Sequence, residues 1–141
     1  MEIPNYELDD WLSVLKPYQK SIVSQLVSEY GQEKTIEKWL TASGPTVTVK
    51  FGGDGNMKPF LDRYKIEINK FICGHPDYNN ERTQFDEKSE NYKTLIVSSI
   101  SSLIGSTLGV AGAALAPVIV LSLSIAGKMG VKAYCSGMSF E

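Results

Sequence analysis

Apolar residues return three and four positions apart along most of the first seventy-six residues, and then the rhythm changes. Leu8, Trp11, Leu12 and Leu15 mark one face of a short amphipathic helix, which Pro17 interrupts or kinks because its ring has no N–H to give. Tyr18, Ile22, Leu26 and Tyr30 continue the period, with Val23 and Val27 widening the stripe, until Gly31 stands where a helix C-cap belongs. The segment QEKTIEKWLTAS places Ile36, Trp39 and Leu40 on one side and stops at Gly44-Pro45. Phe60, Tyr64, Ile68 and Ile72 then recur four apart after Pro59, a residue suited to a helix first turn, and Gly74 to Pro76 end that helix. Between them TVTVKF alternates β-branched residues, but a lone strand has no partner in a helical chain, so an extended loop is expected.

From Asp77, an N-cap residue type, the chain runs through a highly polar stretch into TLIVSSISSLI with no helix breaker between the two. The simplest expectation is one long helix, solvated first and buried later. Thr94 to Gly127 contain no charged side chain over 34 residues. A single straight helix of that length would measure about 51 Å, well beyond a hydrocarbon core of roughly 30 Å. A hairpin turning near Gly109 to Gly112 fits better, with Pro117 favouring a helix restart nearby and the last helix running to about Tyr134. Lys93 before the run and Lys128 and Lys132 after it favour keeping both ends on the cytoplasmic side of a membrane.

Within the run Ser98, Ser102, Ser106, Gly109, Ala113 and Ala116 recur three or four apart as a stripe of small residues. Such a stripe lets helix backbones approach closely, inside a hairpin or between copies, in lipid or in water. Ile96, Leu103 and Val110 stand opposite, seven apart. The small stripe predicts close packing at Gly109 and Ala113, and the serines between Thr94 and Ser106 soften the membrane signal there.

Composition changes this picture little. The chain has 141 residues, enough for one core, and a net charge of −2. Arg63 and Arg82 are the only arginines, so no nucleic-acid partner is expected. The acidic start MEIPNYELDD lacks the apolar region of a secretory signal, so the expected location is the cytoplasm or the cytoplasmic side of an inner membrane. The two cysteines, Cys73 and Cys135, show no metal or redox spacing, and reduced thiols follow from that location. With His75 they make three candidate zinc ligands and lack a fourth, so no metal is expected. The glycine-rich FGGDGN lacks the Lys-Ser/Thr ending of a phosphate loop, and the adjacent carboxylates Asp9/Asp10 and Asp86/Glu87 read as solvated faces. No nucleophile has a base and orienting acid in its sequence context, so no enzyme, cofactor or small-molecule substrate is expected.

The sequence therefore predicts an all-α protein, a small helical bundle in which a long helix runs into a Gly/Ala-rich hydrophobic C-terminal helical hairpin. Residues 1–76 would form an amphipathic helical region with a 44–58 loop. Residues 77–141 would carry the polar-to-apolar helix and the hairpin, in one domain with the first part or beside it. The expected function is insertion in, or assembly at, a membrane through the hairpin, with lipid as partner and copies of the chain joined as a homo-oligomer. Such a build suits a membrane-perturbing effector of a bacterial toxin or defence system, or a small membrane subunit. The alternative is a soluble adaptor that buries the hairpin as its core and contacts a protein partner through Trp11 and Trp39.

Overall fold

The computed structural model describes Ile3 and residues 5–43, 58–82 and 91–136. Every element among them is helical, as the patterning predicts. TVTVKF and FGGDGN lie outside the described residues.

Helix α1 (Leu8–Leu12) buries Trp11 and Leu12, and the following turn buries Leu15. Pro17 starts α2 (Pro17–Tyr30) at a first-turn position whose N–H has no intrahelical partner to lose. Gly31 closes α2 with φ 83°, a conformation open to glycine, and its N–H donates to Val27 O at 2.9 Å. The buried side of α2 is narrower than its apolar stripe: Gln19 and Val23 are buried, while Tyr18, Ile22 and Tyr30 are exposed. Helix α3 (Gln32–Ser43) buries Ile36 and Leu40, and α4 (Lys58–Ile72) buries Phe60, Tyr64, Ile68 and Ile72 as their spacing requires.

Past Gly74, a 3-10 turn at Pro76–Tyr78 is capped by His75, whose Nδ1 accepts from the Asp77 amide at 3.1 Å. Asp77 thus lies inside a turn instead of capping a long helix. Helix α5 covers Asn79–Arg82 and residues 83–90 lie outside the described part. The apolar arm is a helix of its own, α6 (Tyr92–Leu108), because Asn91 at its N-cap has φ −102° and ψ 25°. After a turn within the expected glycine region comes α7 (Gly112–Met129). Gly130, with φ 86°, separates α7 from α8 (Val131–Cys135), so the last helix is broken before Tyr134.

Helix α7 is the axis of the molecule. It touches α1, α2, α3, α4, α6 and α8, and one hydrophobic cluster joins Trp11, Leu40, Phe71, Ile100 and Leu121 across all of them. Every residue from Pro117 to Ser124 is buried. Eight consecutive residues make more than two turns, so this part of the helix is covered on all its faces. At about 1.5–3 kcal/mol for each large aliphatic side chain taken out of water, Val118, Ile119, Val120, Leu121 and Leu123 make this enclosed segment a substantial apolar contribution to the fold.

Candidate functional site

The candidate site is the α6–α7 hairpin and the helices that enclose it. The turn is set by Gly109, the C-cap of α6, with φ 80°; the amides of Gly109 and Val110 both donate to Gly105 O, at 2.8 and 2.9 Å. The arms are 17 and 18 residues long. Lys93 on one arm and Lys128 on the other therefore lie toward the open end, away from the turn. Lys93 Nζ is 5.5 Å from the centre of the Tyr6 ring, and Lys128 and Lys132 are exposed.

The enclosing helices reach α7 with polar atoms as well as apolar ones. Pro117 lies inside α7, where the sequence suggested a restart. A proline there leaves the carbonyl four residues earlier without its helical donor. That carbonyl belongs to Ala113, and Gln19 Nε2 donates to it at 3.1 Å, so the helix continues through the proline. The other end of the same amide accepts from the Lys16 N–H at 3.4 Å, helping to cap α2. Trp39 Nε1 donates to Ala114 O at 2.8 Å. Tyr64 Oη lies 3.0 Å from Val118 O and 2.7 Å from Ser122 Oγ, and burial pushes its phenol well above the ordinary range. Gln32 Nε2 reaches Ser124 Oγ at 3.4 Å. Three helices of the sheath thus fix the rotation and height of α7 by directional contacts that apolar packing alone does not supply.

The small-residue stripe has a different place from the expected one. Ser98, Ser102, Ser106, Gly109 and Ala113 are exposed and Ala116 is half-buried. Gly109 is not a packing glycine: a Cβ there would meet nothing within 4 Å, and its role is the left-handed turn. The close approach of the two arms lies at Gly105 and Gly112 instead. A Cβ on Gly105 would come within 2.8 Å of Val110 O, and one on Gly112 within 3.2 Å of the Ser101 carbonyl. Ser98, Ser102, Ala113 and Ala116 line a shallow groove of about 280 Å³ beside that contact, together with Ser101. The Ser101 hydroxyl and Trp11 Nε1 are buried without a hydrogen-bond partner among the described residues.

The two tryptophans face inward. Trp11 is wholly buried, with its ring 5.2 Å from that of Tyr6, and Trp39 is half-buried with its N–H committed to α7. Neither presents a free indole to a partner in this form. The cysteines differ from the expectation of two reduced thiols: Cys73, just past α4, and Cys135, at the end of α8, form a disulfide with Cα atoms 5.6 Å apart. Their sulfurs are bonded to each other, and no metal-binding cluster is present among the described residues. Beside the disulfide, Tyr134 Oη donates to Asn69 Oδ1 at 2.6 Å, and burial followed by the nearby Glu33 charge raises the Tyr134 phenol. Tyr78 donates to Glu67 Oε1 at 2.6 Å, and burial together with that bond pushes its phenol up to about 12.

Gln19, Tyr64, Gly105 and Gly112 carry the hairpin's geometry and were not singled out as site residues from the sequence. Pro117 held the one available signal, since its missing N–H demands a donor, but it does not say which residue supplies one. No family model, no curated protein and no solved structure matches the chain.

Proposed function

We propose that the protein is a non-enzymatic, membrane-active helical protein that stores its inserting hairpin inside a water-compatible fold. The observation that supports this reading is that α7 is long and apolar enough to cross a membrane, while the other helices enclose it from Pro117 to Ser124 at rest. Helix α7 measures about 27 Å, has a mean hydropathy of 1.7 and bears one charge, Lys128, near its end. Those properties suit a spanning helix, and a buried core helix can share them, so burial decides which form is at rest. An apolar band facing outward is missing from α7, so the reading is conditional insertion and not permanent residence as a membrane subunit.

Release is chemically reasonable because α7 keeps its own backbone ladder when the sheath leaves. Only Ala113 O, opposite Pro117, depends on an outside donor. The amphipathic helices α3 and α4 would lie at the interface with their apolar sides in the lipid. The lysines at the hairpin's open end favour cytoplasmic-side insertion, and a membrane-perturbing effector is the role that such a build serves. Association of inserted copies through the small stripe belongs to the same proposal.

A second reading, a soluble adaptor, is favoured by the cover that α1 to α4 give α7 and by the exposed Tyr18, Ile22 and Tyr30 along α2. Flotation with phosphatidylethanolamine/phosphatidylglycerol vesicles separates the two. Insertion predicts co-flotation together with a change in tryptophan emission, because Trp39 loses Ala114 O when the hairpin departs. A chain that stays in the soluble fraction as a monomer, in oxidised and reduced form alike, with unchanged emission, is the adaptor and not the effector.

A further inference from the structure

The disulfide has a topological consequence. Cys73 and Cys135 are 62 residues apart, and the loop they close contains the whole uncharged run and both arms of the hairpin. The N-terminal arm is already tethered to α4 by the chain itself, through residues 73–91. The disulfide tethers the C-terminal arm to the same end of the same helix. Without it, α8 is held by the Tyr134–Asn69 hydrogen bond and by the half-buried Val131 and Tyr134 against the core; none of its five residues is fully buried. Both cysteines are half-buried, and α8 beside them lies at the surface, so a small reductant can reach the bond.

We infer that Cys73–Cys135 is a redox lock on the hairpin, closed under oxidising conditions and opened by thiol–disulfide exchange with a dithiol. This inference rests on the insertion reading above. A thiolate of the dithiol attacks one cysteine sulfur, the Sγ–Sγ bond breaks, and the departing cysteine thiolate takes a proton. The second thiol of the reductant then attacks the mixed disulfide and frees the other cysteine. The sum is one protein disulfide plus one dithiol giving two cysteine thiols and a cyclic disulfide, two electrons passing to the protein. In the opened form α8 detaches from α4, and α7 can move along its axis out of the sheath, which the closed loop opposes. Closing a loop of this length also restricts the unfolded chain, so reduction lowers the melting temperature by roughly 10 °C.

The test uses the full chain with phosphatidylethanolamine/phosphatidylglycerol vesicles holding a self-quenched dye. Three samples are compared: the oxidised protein, the protein reduced with dithiothreitol, and the Cys73→Ser/Cys135→Ser variant without reductant. The variant controls for effects of dithiothreitol on the vesicles. The lock predicts slow release from the oxidised protein and release at least about ten-fold faster from the other two, with flotation following release. Re-oxidising the reduced protein before vesicles are added must restore slow release; fast release after re-oxidation would mean irreversible unfolding and would overturn the lock. Equal rates from all three samples overturn the lock and leave insertion standing. No flotation and no release in any sample overturns insertion, and the lock with it.

Discussion

The two arms of the hairpin are similar in length and in their scarcity of charge, yet they solve the problem of burial differently. Helix α6 buries Ile96, Val97, Ile100, Ile104 and Leu108 on one side and exposes Leu95, Ser98, Ser102 and Ser106 on the other. It is amphipathic in the ordinary way, except that hydroxyls replace charges on the wet face. Helix α7 has no wet face between Pro117 and Ser124, and its two serines there bond to Tyr64 and Gln32. Ser98, Ser102 and Ser106 thus meet water on one arm, where Ser101 alone among the serines is buried, while Ser122 and Ser124 meet protein on the other. An uncharged run, then, is not one kind of segment: what counts is whether its polar atoms are gathered on a single side.

The contrast is broken most directly by removing apolar volume from each arm. Leu121→Ala, in the covered part of α7, is expected to destabilise by about 2–5 kcal/mol, because the cavity lies among helices on every side. Leu103→Ala, at a half-buried position on α6, should cost about 1 kcal/mol or less. Urea melts of the two variants give the comparison, and equal losses would show that the arms are equally enclosed.

Next in size is the pair Gly112 and Gly109. Gly112→Leu drives a side chain into the Ser101 carbonyl across the arm contact, where backbone must move, for about 1–3 kcal/mol or more. Gly109→Leu meets open space, and its loss comes from holding a non-glycine residue at φ 80°, about 1–2 kcal/mol. The two mechanisms separate with alanine. Gly109→Ala should lose nearly as much as the leucine variant, since the strain is in the backbone, whereas Gly112→Ala should be much milder than Gly112→Leu.

How far could this be read from the sequence? The breaks at Pro17, Gly31 and Gly74, the hairpin turn, and the buried face of α4 all follow from local chemistry, because proline, glycine and four-residue spacing act within a few residues. What was not legible is which element faces which. Periodicity gives a face and no address: it does not show that the Trp39 N–H reaches the chain's own α7 or that Trp11 is wholly buried. The buried side of α2 is narrower than its apolar stripe and includes Gln19, which bonds to a carbonyl 94 residues away. Pairing Cys73 with Cys135 likewise depends on α8 returning to the end of α4, which no spacing rule encodes.

The bond between Gln19 and Ala113 O sharpens the comparison at a smaller scale, because α6 carries no internal proline and needs no such help. Gln19→Leu removes the donor to the Ala113 carbonyl and is expected to cost about 0.5–1.5 kcal/mol. Pro117→Ala restores a helical N–H to that carbonyl. In the double variant the loss caused by Gln19→Leu should therefore shrink by more than half, a coupling read from a four-member melting cycle. Additive losses would mean that Gln19 contributes by filling space alone.

The smallest effect tests the wet face of α6. If Ser102 and Ser106 face water in the working form, replacing both with alanine removes two weaker helix formers and nothing else. Each change should then stabilise by about 0.3–0.5 kcal/mol. The melting temperature should rise by roughly 2–4 °C, with no change in sedimentation. If these hydroxyls instead meet a second copy across the groove, the sign reverses, since their bonds to that copy are lost and assembly weakens. Sedimentation velocity alongside the melt distinguishes the cases. A rise in stability with the monomer unchanged places this face in water. A fall in stability with loss of an oligomer places it against another chain, and α6 would then be as enclosed in the assembly as α7 is in the single molecule.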